Sequence, residues 1–318
     1  MNNSTGLHKL RLENEHLQVT ILPEVGAKIL QIVSRETGAD LLWQNPRVLP
    51  QRFPIDSNFD NYWCGGWDDA FPTCEACSFG GEQYPNLGEL RSLVWEIEKV
   101  ESTGEPSAEL SVLAPISPVR VTKKVTISER SVRVKTRIDN LGTLPIAFLW
   151  GSHPAFRIFQ GSTLHVSAKT GIVGVSSSPY LGVPGQRYQW PLLPGSSVDM
   201  SRMQASDHGS FCGHYVADLS AGWYALEHPG GREGVLVMFP QETCPYLWLW
   251  LCFGGWRGHY VAVVEPWTSC PVTLSDAVLQ NTHRVLAPGA CFEVEITAHL
   301  WPSTQTLDEL LGRGLARL

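Results

Sequence analysis

Apolar residues recur at every second position along most of this chain, in runs such as "KLRLE", "LQVTIL", "KILQIVS", "RVTKKVTIS", "SVRVKTRID", "YLWLWLCF", "YVAVVEP" and "CFEVEITAHL". A period of two over about five to eight residues is the signature of a β-strand with one buried face. Gly, Pro, Asn or Asp closes most of the runs, so the pattern predicts short strands joined by turns. Residues 120–140, "RVTKKVTISERSVRVKTRIDN", predict a hairpin turning at Glu129 and Arg130, with charges on one face and Val or Ile on the other. Helical spacing occurs only in "STQTLDELLGRGLARL", where Leu307, Leu310 and Leu311 share a side and Ser or Thr can cap.

There is no βαβ alternation, complete phosphate loop or internal repeat. An antiparallel all-β architecture follows. A single open sheet would leave one apolar face wet, so two large packed sheets are expected. The Pro- and Gly-rich stretch from 179 to 196 predicts long loops within the sandwich, and residues 1–318 are expected to form one domain.

Composition narrows the function. At 43% hydrophobic and 17% charged, with twelve tryptophans, the chain is globular and rich in aromatic surface. A net charge of −7 without a Lys/Arg run argues against a nucleic-acid partner. "MNNSTGLHKLRLENEHL" has no apolar signal core, so a cytoplasmic protein is expected, and "YLWLWLCFGGW" is shorter than the roughly 18 residues of a membrane span. No membrane partner is expected. The eight cysteines read as reduced thiols; "CEAC" (Cys74, Cys77) is a metal half-motif without a second pair, with Cys64 as a third candidate, and no metal is expected.

Three segments concentrate chemistry. In "GSHPAF", Pro154 removes a ladder N–H after His153, so the strand is expected to end, bulge or lie at an edge there. The ring could serve catalysis or simply hold a backbone hydrogen bond. In "VAVVEPWTS", Glu265 closes a buried apolar strand, where a carboxylate is costly unless paired or used; anchoring the turn at Pro266 is the structural alternative. "NYWCGGWDDAFPTCE" gathers Trp67, Asp68, Asp69 and neighbouring rings, the mixture of aromatic faces and acids that suits sugars. A glycine turn over core aromatics would look similar.

The ordered segments "LENEHLQVTILPEVGAKILQIVS", "GGWDDAFPT", "NLGELRSLVWEI", "DNLGTLPIAFLWGSHPAF", "CPYLWLWLCFGG", "VVEPWTS" and "LAPGACFEVEI" span nearly the whole chain. Together they resemble the aldose 1-epimerase (galactose mutarotase-like) family. That resemblance implies a galactose-mutarotase-like β-supersandwich of large antiparallel sheets with a site on its concave face. It also implies a histidine general acid at His153 and a glutamate general base at Glu265. Cys64 stands where such enzymes carry a second histidine, and "HGSFCGHYVADL" lacks their aspartate, with His214 in that neighbourhood. Arg52, Trp67, Asp68, Asp69, His214 and Trp248 are the expected substrate-binding residues.

The function expected is interconversion of the anomers of a free sugar or related hemiacetal by acid–base ring opening, without a cofactor. The partner is then a small-molecule carbohydrate; the sequence does not specify an oligomeric state. Two alternatives stay open: a non-catalytic sugar-binding or sugar-sensing protein, and a glycoside hydrolase or lyase using Asp68, Asp69 and Glu265.

Overall fold

A computed structural model describes residues 6–196 and 198–315. Two antiparallel sheets face each other. The ten-stranded sheet runs in the order Leu10–Glu13, Leu17–Leu22, Lys28–Ser34, Trp67–Ala70, Gly151–Phe156, Tyr260–Trp267, Tyr246–Phe253, Ser210–Ala217, Thr170–Ser176, Arg187–Gln189. The eight-stranded sheet runs Thr163–Val166, Trp223–Glu227, Gly234–Met238, Cys291–Trp301, Ser131–Asn140, Val119–Ser128, Ser107–Leu113, Glu96–Glu101. The main apolar core lies between them and draws on both, with Leu249, Val264 and Phe156 from one sheet and Val125, Val134 and Ile296 from the other.

Alternation explains why the ten-stranded sheet buries both faces. Along Tyr246–Phe253, Leu247, Leu249, Leu251 and Phe253 enter the main core, while Trp248 and Cys252 join smaller apolar clusters on the opposite face. Tyr260–Trp267 divides the same way: Ala262 and Val264 face the core, and Val261, Val263 and Trp267 face away. That second face carries the cavity described below.

The 120–140 hairpin forms as expected, with Val125 opposite Val134 and Glu129 at φ 50° in the turn. One charge departs from the predicted pattern. Lys123 sits on the dry face, buried among core valines, because its ammonium meets Asp69 of the opposing sheet at 3.1 Å. Thr136 donates to the same Asp69 Oδ2 at 3.1 Å. This ion pair ties the two sheets together through the core.

The C-terminal helix, Leu307–Leu315, lies where its spacing placed it. Thr306 and Glu309 make reciprocal backbone bonds, a capping box, and Leu310 packs against Trp301 and Met238 on the outer face of the eight-stranded sheet. The 179–196 stretch is largely loop, with a short 3-10 turn at Pro179–Leu181 and the edge strand Arg187–Gln189. No helix among the described residues is long and apolar enough to cross a membrane.

Breaking the inter-sheet pair strands a buried charge, so Lys123→Met is expected to lower unfolding stability by about 3–5 kcal/mol. Urea denaturation of the variant beside the wild type measures it.

Candidate active site

Pro154 does not end its strand. Gly151–Phe156 runs through the middle of the ten-stranded sheet, with His153 opposite Asp68 on one side and Tyr260–Trp267 on the other. The ladder toward Tyr260–Trp267 pairs Gly151 with Trp267 and Ala155 with Val263. Equal spans on both strands therefore set His153 directly opposite Glu265, each followed by a proline.

The hydrogen-bond phase of this ladder decides how close the two side chains come. Thr268 N donates to Trp150 O at 3.0 Å, so the bonded pairs are 150/268, 152/266 and 154/264, and 153/265 is a non-bonded pair. In such pairs the side chains approach more closely than in bonded ones. Pro154 and Pro266 fall in the two flanking bonded pairs, and each removes one donor. The strand survives because the carbonyl that Pro154 leaves without a partner, Val264 O, accepts from Tyr224 OH at 2.9 Å. A tyrosine reaching across from the other sheet thus replaces a ladder bond.

His153 and Glu265 line a cavity of about 340 Å³ on the outer face of the sheet, within the range small-molecule sites occupy. Both are nearly enclosed, 7% and 5% exposed. Phe59 and Trp63 stand edge-on to the imidazole, at 5.9 and 6.0 Å between ring centroids. His153 Nδ1 has no hydrogen-bond partner among the described residues. Glu265 Oε2 accepts from Trp267 Nε1 at 2.9 Å, and Trp267 stacks on Trp248 at 4.1 Å. Gly151 makes this possible: a Cβ there would sit 2.2 Å from the Trp267 ring.

Burial sets the protonation of the pair. Desolvation pushes the Glu265 carboxyl up to about 8, opposed only by the Trp267 hydrogen bond. Desolvation also lowers His153 to about 4, opposed mainly by the negative charge of Asp68 beside it. At neutral pH the pair therefore holds one ionisable proton, on the Glu265 carboxyl, facing a neutral imidazole.

Trp248 and His214 also border the cavity. His214 alternates with Cys212 and Val216 toward the packed face, and both of its nitrogens are occupied, Nδ1 by Tyr188 OH at 2.8 Å and Nε2 by Leu181 O at 3.0 Å. Trp67, Asp68, Asp69 and Arg52 are not among the lining residues. Trp67 is buried and donates to Ser152 Oγ at 2.7 Å. Asp68 is ion-paired with buried Lys28, Asp69 with Lys123, and Arg52 is exposed and paired with Glu24. Cys64 packs with Leu22, Val25 and Leu30. Cys74 borders the cavity, but burial raises its thiol, so it stays protonated. Among the described residues no group of three or more His, Cys, Asp or Glu side chains is placed to hold a metal ion.

Sequence reading missed Phe59, Asp60, Asn86, Tyr215 and Trp256 as cavity residues. They come from the short helix Phe59–Tyr62, from turns, or from the distant strand Ser210–Ala217. The available signal was two mid-strand glycines, Gly174 and Gly213, which keep the cavity wall low: a Cβ on Gly174 would meet Tyr215 at 2.8 Å.

Comparison with known proteins places the architecture. A domain of unknown function, DUF5107, matches residues 3–78. No curated protein matches the chain. Among solved structures, a galactose mutarotase-like protein from Lactobacillus casei ATCC 334 aligns with a TM-score of 0.66 at 16% identity, covering 92% of this chain and 100% of that one. A galactose mutarotase related enzyme from Lactobacillus acidophilus gives 0.66 at 14% identity, with 93% and 98% covered. A protein from Synechocystis sp. PCC 6803 gives 0.70 at 16%, with 93% and 96% covered. At these identities the likeness is one of fold. The chain has the galactose-mutarotase-like β-supersandwich expected from its sequence.

Two outcomes test the geometry. Gly151→Ala forces Trp267 off Glu265 and is expected to cost about 1–3 kcal/mol of stability, read by thermal or urea unfolding. Glu265 holds its proton in the folded state between pH 4.5 and about 8, so its contribution is present at low pH and lost as pH rises through about 8. The window above 6.5 isolates it, because His153, lowered to about 4, affects stability only below 6.5. There Glu265→Gln is expected to remove a decline of up to about 1.4 kcal/mol per pH unit, measured by urea titration from pH 6.5 to 8.5.

Proposed function

We propose that the protein interconverts the anomers of a free sugar by acid–base ring opening at His153 and Glu265. The observation that carries this reading is the facing pair itself. A proton-bearing carboxyl and a neutral imidazole without a partner at Nδ1 occupy a non-bonded cross-strand pair in an aromatic-walled cavity. The mutarotase-like names of the fold's neighbours agree with it. Residues 1–318 act in this reading as one domain, and neither metal nor nucleotide enters the reaction.

The chemistry needs one proton at the ring oxygen and one base at the C1 hydroxyl. As the base takes the O1 proton, C1=O1 forms, the C1–O5 bond breaks, and O5 receives the proton of the acid. Rotation about C1–C2 and reclosure return both protons. A singly protonated His–Glu pair supplies both functions. An imidazolium facing a carboxylate and an imidazole facing a carboxylic acid differ only in where that proton rests. Burial favours the second form, and transfer of that one proton to His153 gives the imidazolium acid and carboxylate base that the family resemblance implies.

Asp68 and Asp69, the acids expected to serve a glycosidase with Glu265, are each held in an ion pair outside the cavity, while the carboxyls that do line it, Asp60 and Glu75, come from other segments and Asp60 is paired with Arg257. Ring opening needs only the single carboxyl.

His153→Ala or Glu265→Gln is expected to lower accelerated anomer exchange by about 10²–10⁴-fold with the fold intact, followed by exchange NMR on a panel of aldoses and by circular dichroism. Full activity in both variants would sink the reading. For the wild type, kcat/KM is expected to be bell-shaped, falling below about pH 4 as His153 gains a proton and above about pH 8 as Glu265 loses one. A rate that climbs steadily through pH 9 contradicts a protonated Glu265.

A further inference from the structure

We propose that the cleft continues past the His153–Glu265 cavity into a second subsite, and that the substrate is a neutral reducing oligosaccharide whose second ring lies between Phe59 and Tyr84. The inference rests on the ring-opening reading and extends it to a substrate class.

A second hollow of about 490 Å³ adjoins the first and shares Phe59, Asp60 and Asn86 with it. A reducing sugar placed with C1 at the pair therefore has a way out along a continuous wall. Tyr84, on the short hairpin of Cys77–Phe79 and Glu82–Tyr84, lines this second hollow and not the first. Pyranose rings present an apolar C–H face to an aromatic ring and hydroxyls to amides and acids. Phe59 and Tyr84 provide the rings. Asn86, at the junction of the two hollows, is half-buried, and its side-chain amide has no hydrogen-bond partner among the described residues.

The rim is built to keep its spacing. Buried Arg91 donates from Nε to Asn86 O at 2.8 Å and from Nη2 to Ser57 O at 2.9 Å, joining the two loops that flank the hollow. Its guanidinium also lies over Phe53 and Phe59, at 5.0 and 5.3 Å. A groove fixed in this way loses little freedom when a ligand enters.

Charge selects against anionic sugars. Asp56, Asp60 and Glu75 border the two hollows beside the proton-bearing Glu265, and among the described residues no lysine or arginine lines either one. Arg257 is already taken by Asp60, and Arg91 by the carbonyls of Asn86 and Ser57, so a phosphate or uronate would meet carboxylates without a free cation to pair with, and a neutral sugar meets no such barrier.

The test measures anomer exchange by the full chain for a neutral hexose, its 6-phosphate and neutral reducing disaccharides, alongside calorimetric titration of the disaccharides. Disaccharide kcat/KM is expected to exceed that of the hexose by about tenfold, and the 6-phosphate to fall about tenfold below it. Tyr84→Ala is expected to bring the disaccharide-to-hexose ratio close to one. Equal values for hexose and disaccharide, or a ratio untouched by Tyr84→Ala, overturn the subsite while leaving ring opening standing. Disaccharide binding that Tyr84→Ala weakens, without turnover of any sugar, supports the subsite and removes the ring-opening reading instead.

Discussion

The site depends on two missing hydrogen bonds in the middle of a sheet. Pro154 and Pro266 each take one donor from the ladder between Gly151–Phe156 and Tyr260–Trp267, on either side of the His153/Glu265 pair. Leaving a buried carbonyl unsatisfied costs about 1–3 kcal/mol, enough to split a strand or push it to an edge. Tyr224 removes that penalty at Val264 O, from the opposing sheet. The strand can then stay central, and only a central strand places a histidine and a glutamate side by side on the floor of a cavity.

Enclosure by Phe59, Trp63, Trp248 and Trp267 does the electrostatic work. It raises the carboxyl and lowers the imidazole, the two shifts that keep both groups uncharged at neutral pH. Two neutral groups cost far less to bury than an ion pair lacking further hydrogen bonds. The real charges sit one step back. Lys28 and Asp68 neutralise each other beside His153, and Lys123 and Asp69 do so within the core. Adjacent aspartates on one strand point to opposite faces, so Asp68 stays near the site while Asp69 fastens the other sheet.

Strand periodicity made the two-sheet architecture legible, and the apolar run before Glu265 marked that carboxylate as buried and unusual. The proline after His153 is also visible, but its consequence is not: the expectation that the strand ends, bulges or lies at an edge lacks Tyr224, which is about seventy positions away in sequence and satisfies the freed carbonyl. The same limit applies to Asp68, Asp69 and Arg52. Their residue types suit sugar binding, yet each is taken by a partner the local sequence does not reveal, Lys28, Lys123 and Glu24. The rule of charges on one hairpin face and Val or Ile on the other does not hold at Lys123, because the local sequence cannot register an acid arriving from another sheet. His214 borders the cavity, but its nitrogens are committed to Tyr188 and Leu181, both within loops and edges whose course is set by tertiary packing.

A cavity assembled from a rigid strand floor and a loop-built rim separates two tasks. Trp267, wedged over Gly151 and stacked on Trp248, has little room to move, so the carboxyl it holds keeps its orientation. Phe59, Asp60 and Asn86 lie on segments whose length and composition can vary without disturbing the ladder beneath. Arg91, a buried cation, joins those segments through backbone carbonyls, which any residue at Ser57 or Asn86 would offer. Side chains on the rim can therefore change what the cleft admits while the proton-carrying pair stays fixed, and a substitution at Gly151 or Tyr224 would reach the chemistry without touching the ligand.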